Sequence, residues 1–298
     1  MTSTISTMSS PEDWDNRERL LDLLASRLLR KRLSLFLGAG ASHAFKLPDW
    51  TRLVDNLYAQ KSLVRPSTRN DTADAESLLV SHYKSDRVKF ARDVQKALYQ
   101  DYKHDQSLLE SNPLLTAIGA LVMSSARGSV AEVMTFNYDD LLEVYLSWRG
   151  LTVASVDQLP IWNSDADVEV LHPHGLLRTD MTEPQRGVVV TRLDYDDIVG
   201  NTADLWRQRM VGILRSTTCL FIGLSGDDSN LSSMLNETKK AHSTREPFWG
   251  VRFGCDDKGP SWSARGVYPL QLKDHDETPS LILDICRRAA ALRMSRFA

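Results

Sequence analysis

The sequence predicts an α/β protein: a doubly wound, mostly parallel sheet with a helical insertion after the first strand. Three observations lead there. Short apolar runs recur along the chain with helical segments between most of them, the alternation that lays helices on a parallel sheet. Several of those runs are apolar at consecutive positions, as strands buried on both faces are. About eighty residues of helical, charged sequence separate the first strand from the next. A simple dehydrogenase βαβ unit places its second strand within about thirty residues, so an insertion fits better.

Composition narrows the function classes. The 298 residues are 42% hydrophobic and 25% charged, ample for a core in one large domain or two small ones. A net charge of −3 sets up no global positive field, so no direct nucleic-acid binding is expected. Cys219, Cys255 and Cys286 stand far apart without a C-x-x-C pair. That excludes a four-thiolate zinc site and speaks against a disulfide framework. Reduced thiols, no long apolar run and no signal peptide give the expectation of a cytoplasmic protein with no membrane partner. Residues 1–16 are expected to form a flexible N-terminus, the first ten being mostly Ser, Thr and Met. Residues 17–298 are expected to form a single domain with its helical insertion at approximately 51–121.

In chain order, residues 14–32 predict a helix, with Leu20, Leu21, Leu23, Leu24, Leu28 and Leu29 on one stripe. Arg30, Lys31 and Arg32 sit in its last turn, where cations suit the dipole of a solvated helix end. Residues 33–37 read as a buried strand that runs into Gly38-Ala39-Gly40-Ala41-Ser42. Glycine there permits positive φ and close approach of a ligand to the main chain. Such a strand-to-helix turn aims free N–H groups at an anion, which makes the diphosphate of a nucleotide the first candidate ligand. His43 stands where the dehydrogenase fingerprint has its third glycine. Pro48-Asp49-Trp50-Thr51 starts the next helix with Asp49 as cap. Breaks fall at Arg65-Pro66-Ser67 and Ser111-Asn112-Pro113. Further strands are expected at 130–136, 168–171, 187–191, 218–222, 248–253 and 267–272, with helices at 139–148, 194–215, 231–242 and 279–293.

Open α/β sheets bind ligands at the carboxyl ends of their strands. Four polar turns follow strands here: the glycine turn, Asn137-Tyr138-Asp139-Asp140, His172-Pro173-His174-Gly175, and Gly223-Leu224-Ser225-Gly226-Asp227-Asp228-Ser229-Asn230. Each has a plainer role open to it. Asn137, Asp139 and Asp228 suit helix caps. His172 and His174 share a strand face, but no Cys, Asp or Glu is obviously placed to complete a metal site.

Together these turns resemble the sirtuin-like superfamily, and more specifically the sirtuin-like NAD hydrolases of bacterial anti-phage defence. The matching segments are FLGAGAS, LPDW, TFNYDDLLE, HPHG, VVVTRLDY and FIGLSGDDSNLSSML, in family order from about residue 34 to 283. The resemblance implies a Rossmann-like sheet in a single sirtuin-like catalytic domain and NAD as substrate. Gly38, Ala39, Gly40 and Ser42 match the diphosphate cradle. Asn137 matches the catalytic asparagine and Asp139 the aspartate that faces the nicotinamide carboxamide. His174, directly before a glycine, matches the catalytic histidine. Gly223 and Ser225 match the turn at the ribose, with Asp228 and Asn230 beside them, and Trp50 screens the reactive sugar. Classical sirtuins follow P-D with Phe and Arg, whereas Trp50 and Thr51 stand here.

The two C-x-x-C pairs of deacylating sirtuins are missing, which turns the expectation from acyl-lysine chemistry, with its zinc, to cleavage of NAD itself without metal. The implied reaction releases nicotinamide and ADP-ribose, with Asn137 orienting water and His174 as general base. It would deplete NAD in an abortive antiviral response. By resemblance, stand-alone domains of this type form homo-oligomers and work with a separate HerA-like hexameric ATPase. Two other classes stay open: a sensor or scaffold that binds NAD or ADP-ribose without turnover, and an NAD-dependent deacylase or ADP-ribosyltransferase.

Overall fold

The computed structural model describes residues 11–67, 70–123, 128–161, 164–226, 228–242 and 247–294. The chain begins with helices α1 (Pro11–Asp15) and α2 (Arg17–Leu29), then strand β1 (Leu33–Leu37). Helices α3 (Trp50–Gln60), α4 (Asp71–Tyr83), α5 (Arg87–Leu98), α6 (Gln106–Ser111) and α7 (Pro113–Val122) make up the expected insertion. There follow β2 (Val133–Thr135), α8 (Leu141–Trp148), β3 (Val153–Val156) and β4 (Val168–Leu171). Helices α9 (Arg192–Gly200) and α10 (Leu205–Ser216) lead to β5 (Thr218–Ile222), α11 (Ser229–Ala241), β6 (Gly250–Gly254), α12 (Gly259–Ala264), β7 (Val267–Gln271) and α13 (Glu277–Met294). The seven strands form one all-parallel sheet in the order β3-β4-β2-β1-β5-β6-β7. The doubly wound α/β fold read from the sequence is therefore the fold observed, and the strand order reverses at β1.

Local differences from the sequence expectation have local causes. The segment expected to be flexible, 1–16, is helical over Pro11–Asp15, because Trp14 is buried with its ring edge-on to Phe248, centroids 5.4 Å apart. Residues 1–10 lie outside the described residues. The helix expected over 14–32 starts at Arg17, where Asn16 accepts the N–H of Arg19. Strand β3 was not legible because Val-Ala-Ser-Val is short and mixed; it pairs in parallel with β4, Val153 opposite Val168. Residues 187–191 are not a strand. Thr191 closes a capping box with Asp194 and starts α9, so the run ends as a helix entry. The helix expected over 194–215 is two helices, α9 and α10.

The chain divides into two compact units. The first comprises Met1–Phe36, Ser111–Val133 and Arg209–Ala298. In it α13 packs on α2 and α7, and Arg288 bridges Asp22 at 2.8 Å and Asp284 at 2.8 Å. Strand β6 lies between β5 and β7, with Phe221 opposite Arg252 and Arg252 opposite Pro269.

The second unit comprises Leu37–Glu110 and Met134–Gln208. Its core joins the faces of α3, α4 and α5 (Leu53, Leu57, Leu78, Phe90 and Val94) to Tyr138, Leu177 and Val188. Arg65, in a turn expected from its Arg-Pro-Ser sequence, has a buried side chain that binds Asp74 at 2.8 Å, Asp55 at 2.9 Å and also Asp71. It ties the first half of α3 to the start of α4.

Candidate active site

Strand β1 is buried at all five positions and delivers the chain into two short 3-10 turns, Ala39–Ala41 and His43–Phe45. Gly38 is extended, at φ −132° and ψ −174°, so positive φ is not what calls for glycine at this position. The Ala41 N–H donates to the Gly38 carbonyl at 2.8 Å and the Ser42 N–H to that of Ala39 at 3.1 Å, closing the turn. Asp49 caps α3 as expected, accepting from the Arg52 N–H at 2.8 Å. Trp50 then packs with its ring centroid 6.5 Å from Tyr138.

The second turn, after β2, meets the first. Asn137 Nδ2 donates to the Gly38 carbonyl at 3.1 Å and to Ser42 Oγ at 3.1 Å. Ser42 Oγ in turn donates to the Asp139 carboxylate, 2.9 Å from one oxygen and 3.1 Å from the other. Asp139 is buried, and burial pushes its pKa up to about 6; Glu143 and Asp140 push the same way, against the hydrogen bonds from Ser42 and the Leu141 N–H. Asp139 is not the helix cap. Asp140 holds the cap position of α8, and its side chain accepts instead from the Thr179 N–H at 2.9 Å.

The third turn brings the two histidines to different surroundings. His172 is fully buried, with Nε2 2.6 Å from Glu143 Oε1 and Nδ1 3.2 Å from the Asn137 carbonyl. A carboxylate and a carbonyl both ask for an N–H, so the imidazolium suits the site. Burial pushes the His172 pKa down, but Glu143 and the carbonyl outweigh it and the net shift is upward. His174 is also buried, its ring edge-on to Phe136 at 5.0 Å and to Tyr195 at 5.3 Å. Gly175 after it does need glycine. Its φ is +93°, and a Cβ would come 3.0 Å from Val188 Cγ1.

The fourth turn belongs to the first unit. Gly223 has φ +70°, and Asp228 caps α11 by accepting the Leu231 N–H at 2.8 Å. Ser225 is exposed. Asn230 is fully buried, and neither end of its amide has a hydrogen-bond partner among the described residues. Arg252 supports this turn. Its Nε donates to the Leu224 carbonyl at 3.1 Å, and its other two nitrogens bind Asp256 at 2.7 and 2.5 Å.

Of the expected residues, the second unit joins Gly38, Ser42, Asn137 and Asp139 by hydrogen bonds. Ala39 and Gly40 form the adjoining turn. Sequence reading passed over Glu143 and Arg252. The signal for Glu143 was a carboxylate among the leucines of α8's first turn, and for Arg252 a cation inside an apolar strand. The thiols are dispersed: Cys219 is buried in β5, Cys286 is buried in α13, and Cys255 follows β6.

Residues 131–268 match the SIR2-like domain family. That span takes in the Asn137, His172–His174 and Gly223–Asn230 turns, while the glycine turn precedes it. Over 223 residues the chain is 27% identical to Defense-associated sirtuin 2 of Bacillus subtilis, covering 73% of this chain and 20% of that protein. It is 23% identical to NAD(+) hydrolase ThsA of Bacillus cereus (strain MSX-D12), covering 72% of this chain and 41% of the relative. With the ThsA of Enterococcus faecium the figures are 21% identity, 75% and 43%. The chain thus spans from a fifth to less than half the length of these curated relatives. Among solved structures, a Sir2 homologue–NAD complex superposes with a TM-score of 0.53 at 15% identity, covering 92% of this chain and 95% of that one. A second Sir2 enzyme structure gives 0.50 at 14%, covering 92% and 98%. At these identities the likeness establishes the SIR2 fold.

Proposed function

We propose that this chain hydrolyses the nicotinamide–ribose bond of NAD, giving nicotinamide and ADP-ribose, and that it does so in defence against phage. The observation that carries the reading is the hydrogen-bonded set Gly38–Ser42–Asn137–Asp139, built from the turns after β1 and β2, where the strand order reverses. The SIR2-like match and relatives named as NAD(+) hydrolases and as a defence-associated sirtuin support it.

The roles are those that the resemblance implies, and the chemistry of the groups permits them. The Gly38–Ser42 turn binds the diphosphate, remote from the reacting carbon, and that binding energy offsets distortion at the sugar. Asn137 is held through Nδ2, so its amide oxygen is the end that accepts from the attacking water. Asp139 faces the carboxamide. Its raised pKa gives it a neutral form that donates and an ionised form that accepts near neutral pH. His174 takes the water's proton as a neutral imidazole. Gly223, Ser225, Asp228 and Asn230 bind the ribose, and Trp50 screens the sugar. The protein acts in the cytoplasm as a homo-oligomer with a separate HerA-like hexameric ATPase. Three thiols on three separate elements do not supply the four-cysteine set of a deacylase zinc module, which favours NAD cleavage over deacylation.

The test is chromatography of NAD incubated with the parent, Asn137→Ala and His174→Ala, with and without the ATPase partner. Release of nicotinamide and ADP-ribose by the parent, lost in both variants, supports the reading. An inert parent under every condition, or full turnover in both variants, refutes it; tight NAD binding without turnover would install the sensor reading instead.

A further inference from the structure

Within the first unit, a cavity of about 520 Å³ opens at the amino ends of the strands. Arg32 precedes β1, Thr218 opens β5 and Trp249 precedes β6; Arg27 sits in the last turn of α2, Arg215 in that of α10, and Thr238 near the end of α11. The Gly223–Asn230 turn of the same unit lies beyond the other end of β5, a strand of five residues and so roughly 17 Å away. The cavity is therefore not part of that turn's site.

The wall is cationic and rich in donors. Three arginines line it, and among the described residues none of the lining is Asp or Glu. Arg215 pairs with Glu237 at 3.0 Å, whereas Arg27 and Arg32 have no carboxylate partner among the described residues. Arg27 Nε, Thr238 Oγ1 and Trp249 Nε1 are buried with no hydrogen-bond partner among the described residues. Thr238 is 3% exposed and Trp249 6%. Helix dipoles suit cations at the carboxyl ends of α2 and α10, and the Arg32 N–H closes the end of α2 on the Arg27 carbonyl at 2.8 Å. What the dipoles leave over is a cavity walled by three arginines with no carboxylate among the described lining residues.

Guanidinium forks match the oxygens of a phosphoryl group, and the volume lies in the range of small-ligand sites, about 300–1,000 Å³. We propose that this cavity is a second ligand site, which takes a small phosphorylated molecule through Arg27 and Arg32. The proposal does not depend on the NAD reading.

Calorimetric titration of the full chain with inorganic pyrophosphate tests it. The expected result is saturable binding that weakens with added salt. Arg27→Gln and Arg32→Gln should each weaken it about tenfold or more, with Arg32→Lys between them and the parent. Arg32 is exposed, so its variants are expected to fold, and circular dichroism checks that they do. Arg186→Gln, at an exposed arginine that does not line the cavity, should bind as the parent does. No binding by the parent overturns the proposal. So does binding that Arg32→Gln leaves unchanged, or binding that Arg186→Gln weakens as much as Arg32→Gln does.

Discussion

His172 Nε2 lies 2.6 Å from Glu143 Oε1, and both side chains are buried. The other ring nitrogen, at 3.2 Å, donates to the Asn137 carbonyl, so the pair anchors the main chain of the turn that carries Asn137. The His172 pKa is raised on folding. The pair's contribution to stability is therefore full below the unfolded imidazole value of about 6.5 and falls away as pH rises through the higher folded value. Glu143→Gln should cost roughly 1–3 kcal/mol at pH near 6 and progressively less as pH rises. Urea unfolding of parent and variant across that range checks it; a cost that does not change with pH would refute the charged pair.

The Asp139 pKa is raised as well, but the form that folding favours is the neutral one. Its pKa, pushed up to about 6, means that folding favours the protonated carboxyl. That favour is full below the unfolded value and is lost as pH rises through about 6, leaving a buried carboxylate at neutral pH. A rise from the ordinary carboxyl value to about 6 corresponds to roughly 3 kcal/mol. Asp139→Asn should therefore raise the unfolding midpoint at pH 8 and lose that advantage near pH 4. If Asp139 serves NAD as proposed, the same variant weakens NAD binding while it stabilises the fold. Thermal melts at the two pH values, with and without NAD, read both effects.

Arg65 makes a third prediction about the helical insertion. Its side chain is only 7% exposed and meets Asp55, Asp71 and Asp74. Removing one partner from a buried ionic cluster leaves uncompensated charge, so Arg65→Ala should cost roughly 3–5 kcal/mol. Neutralising Asp74 alongside it, as Arg65→Ala with Asp74→Asn, should recover part of that loss. Denaturant unfolding of the single and double variants gives the coupling, and additive costs would show that the cluster is not cooperative.

The sheet was legible because parallel strands buried on both faces are written as apolar runs: β1 and β5 fall at their expected boundaries. The strand that escaped, β3, has intermediate burial at Val153, Ala154 and Ser155, and a half-buried edge leaves no such run. Residues 187–191 carried the strand composition, Gly-Val-Val-Val-Thr, yet end in a capping box, a tertiary outcome that β-propensity does not encode. At the site, Gly38, Ser42, Asn137 and Asp139 were legible as residue types in turns, and their mutual hydrogen bonds were not. The partition between His172 and His174 depended on Glu143, 29 residues from His172, and only the fold shows that contact.

Arg252 carries the last prediction. It is 4% exposed, lies 5.5 Å over the Trp262 ring, binds Asp256 with two nitrogens and donates from the third to the Leu224 carbonyl. One planar guanidinium thus joins β6 to the turn that holds Gly223 and Ser225. Lysine keeps the charge but has no rigid fork and no Nε–H, so Arg252→Lys can hold Asp256 or Leu224 but not both in this geometry. The expected cost is about 1–3 kcal/mol of stability, from the Leu224 carbonyl and the buried stem. Under the proposed function the loosened turn binds the ribose less well and leaves the water and His174 in place. KM for NAD should then rise several-fold with kcat nearly unchanged. Steady-state kinetics alongside thermal melts separates the outcomes. A fall in kcat at constant KM would mean that the Gly223 turn acts on the chemical step.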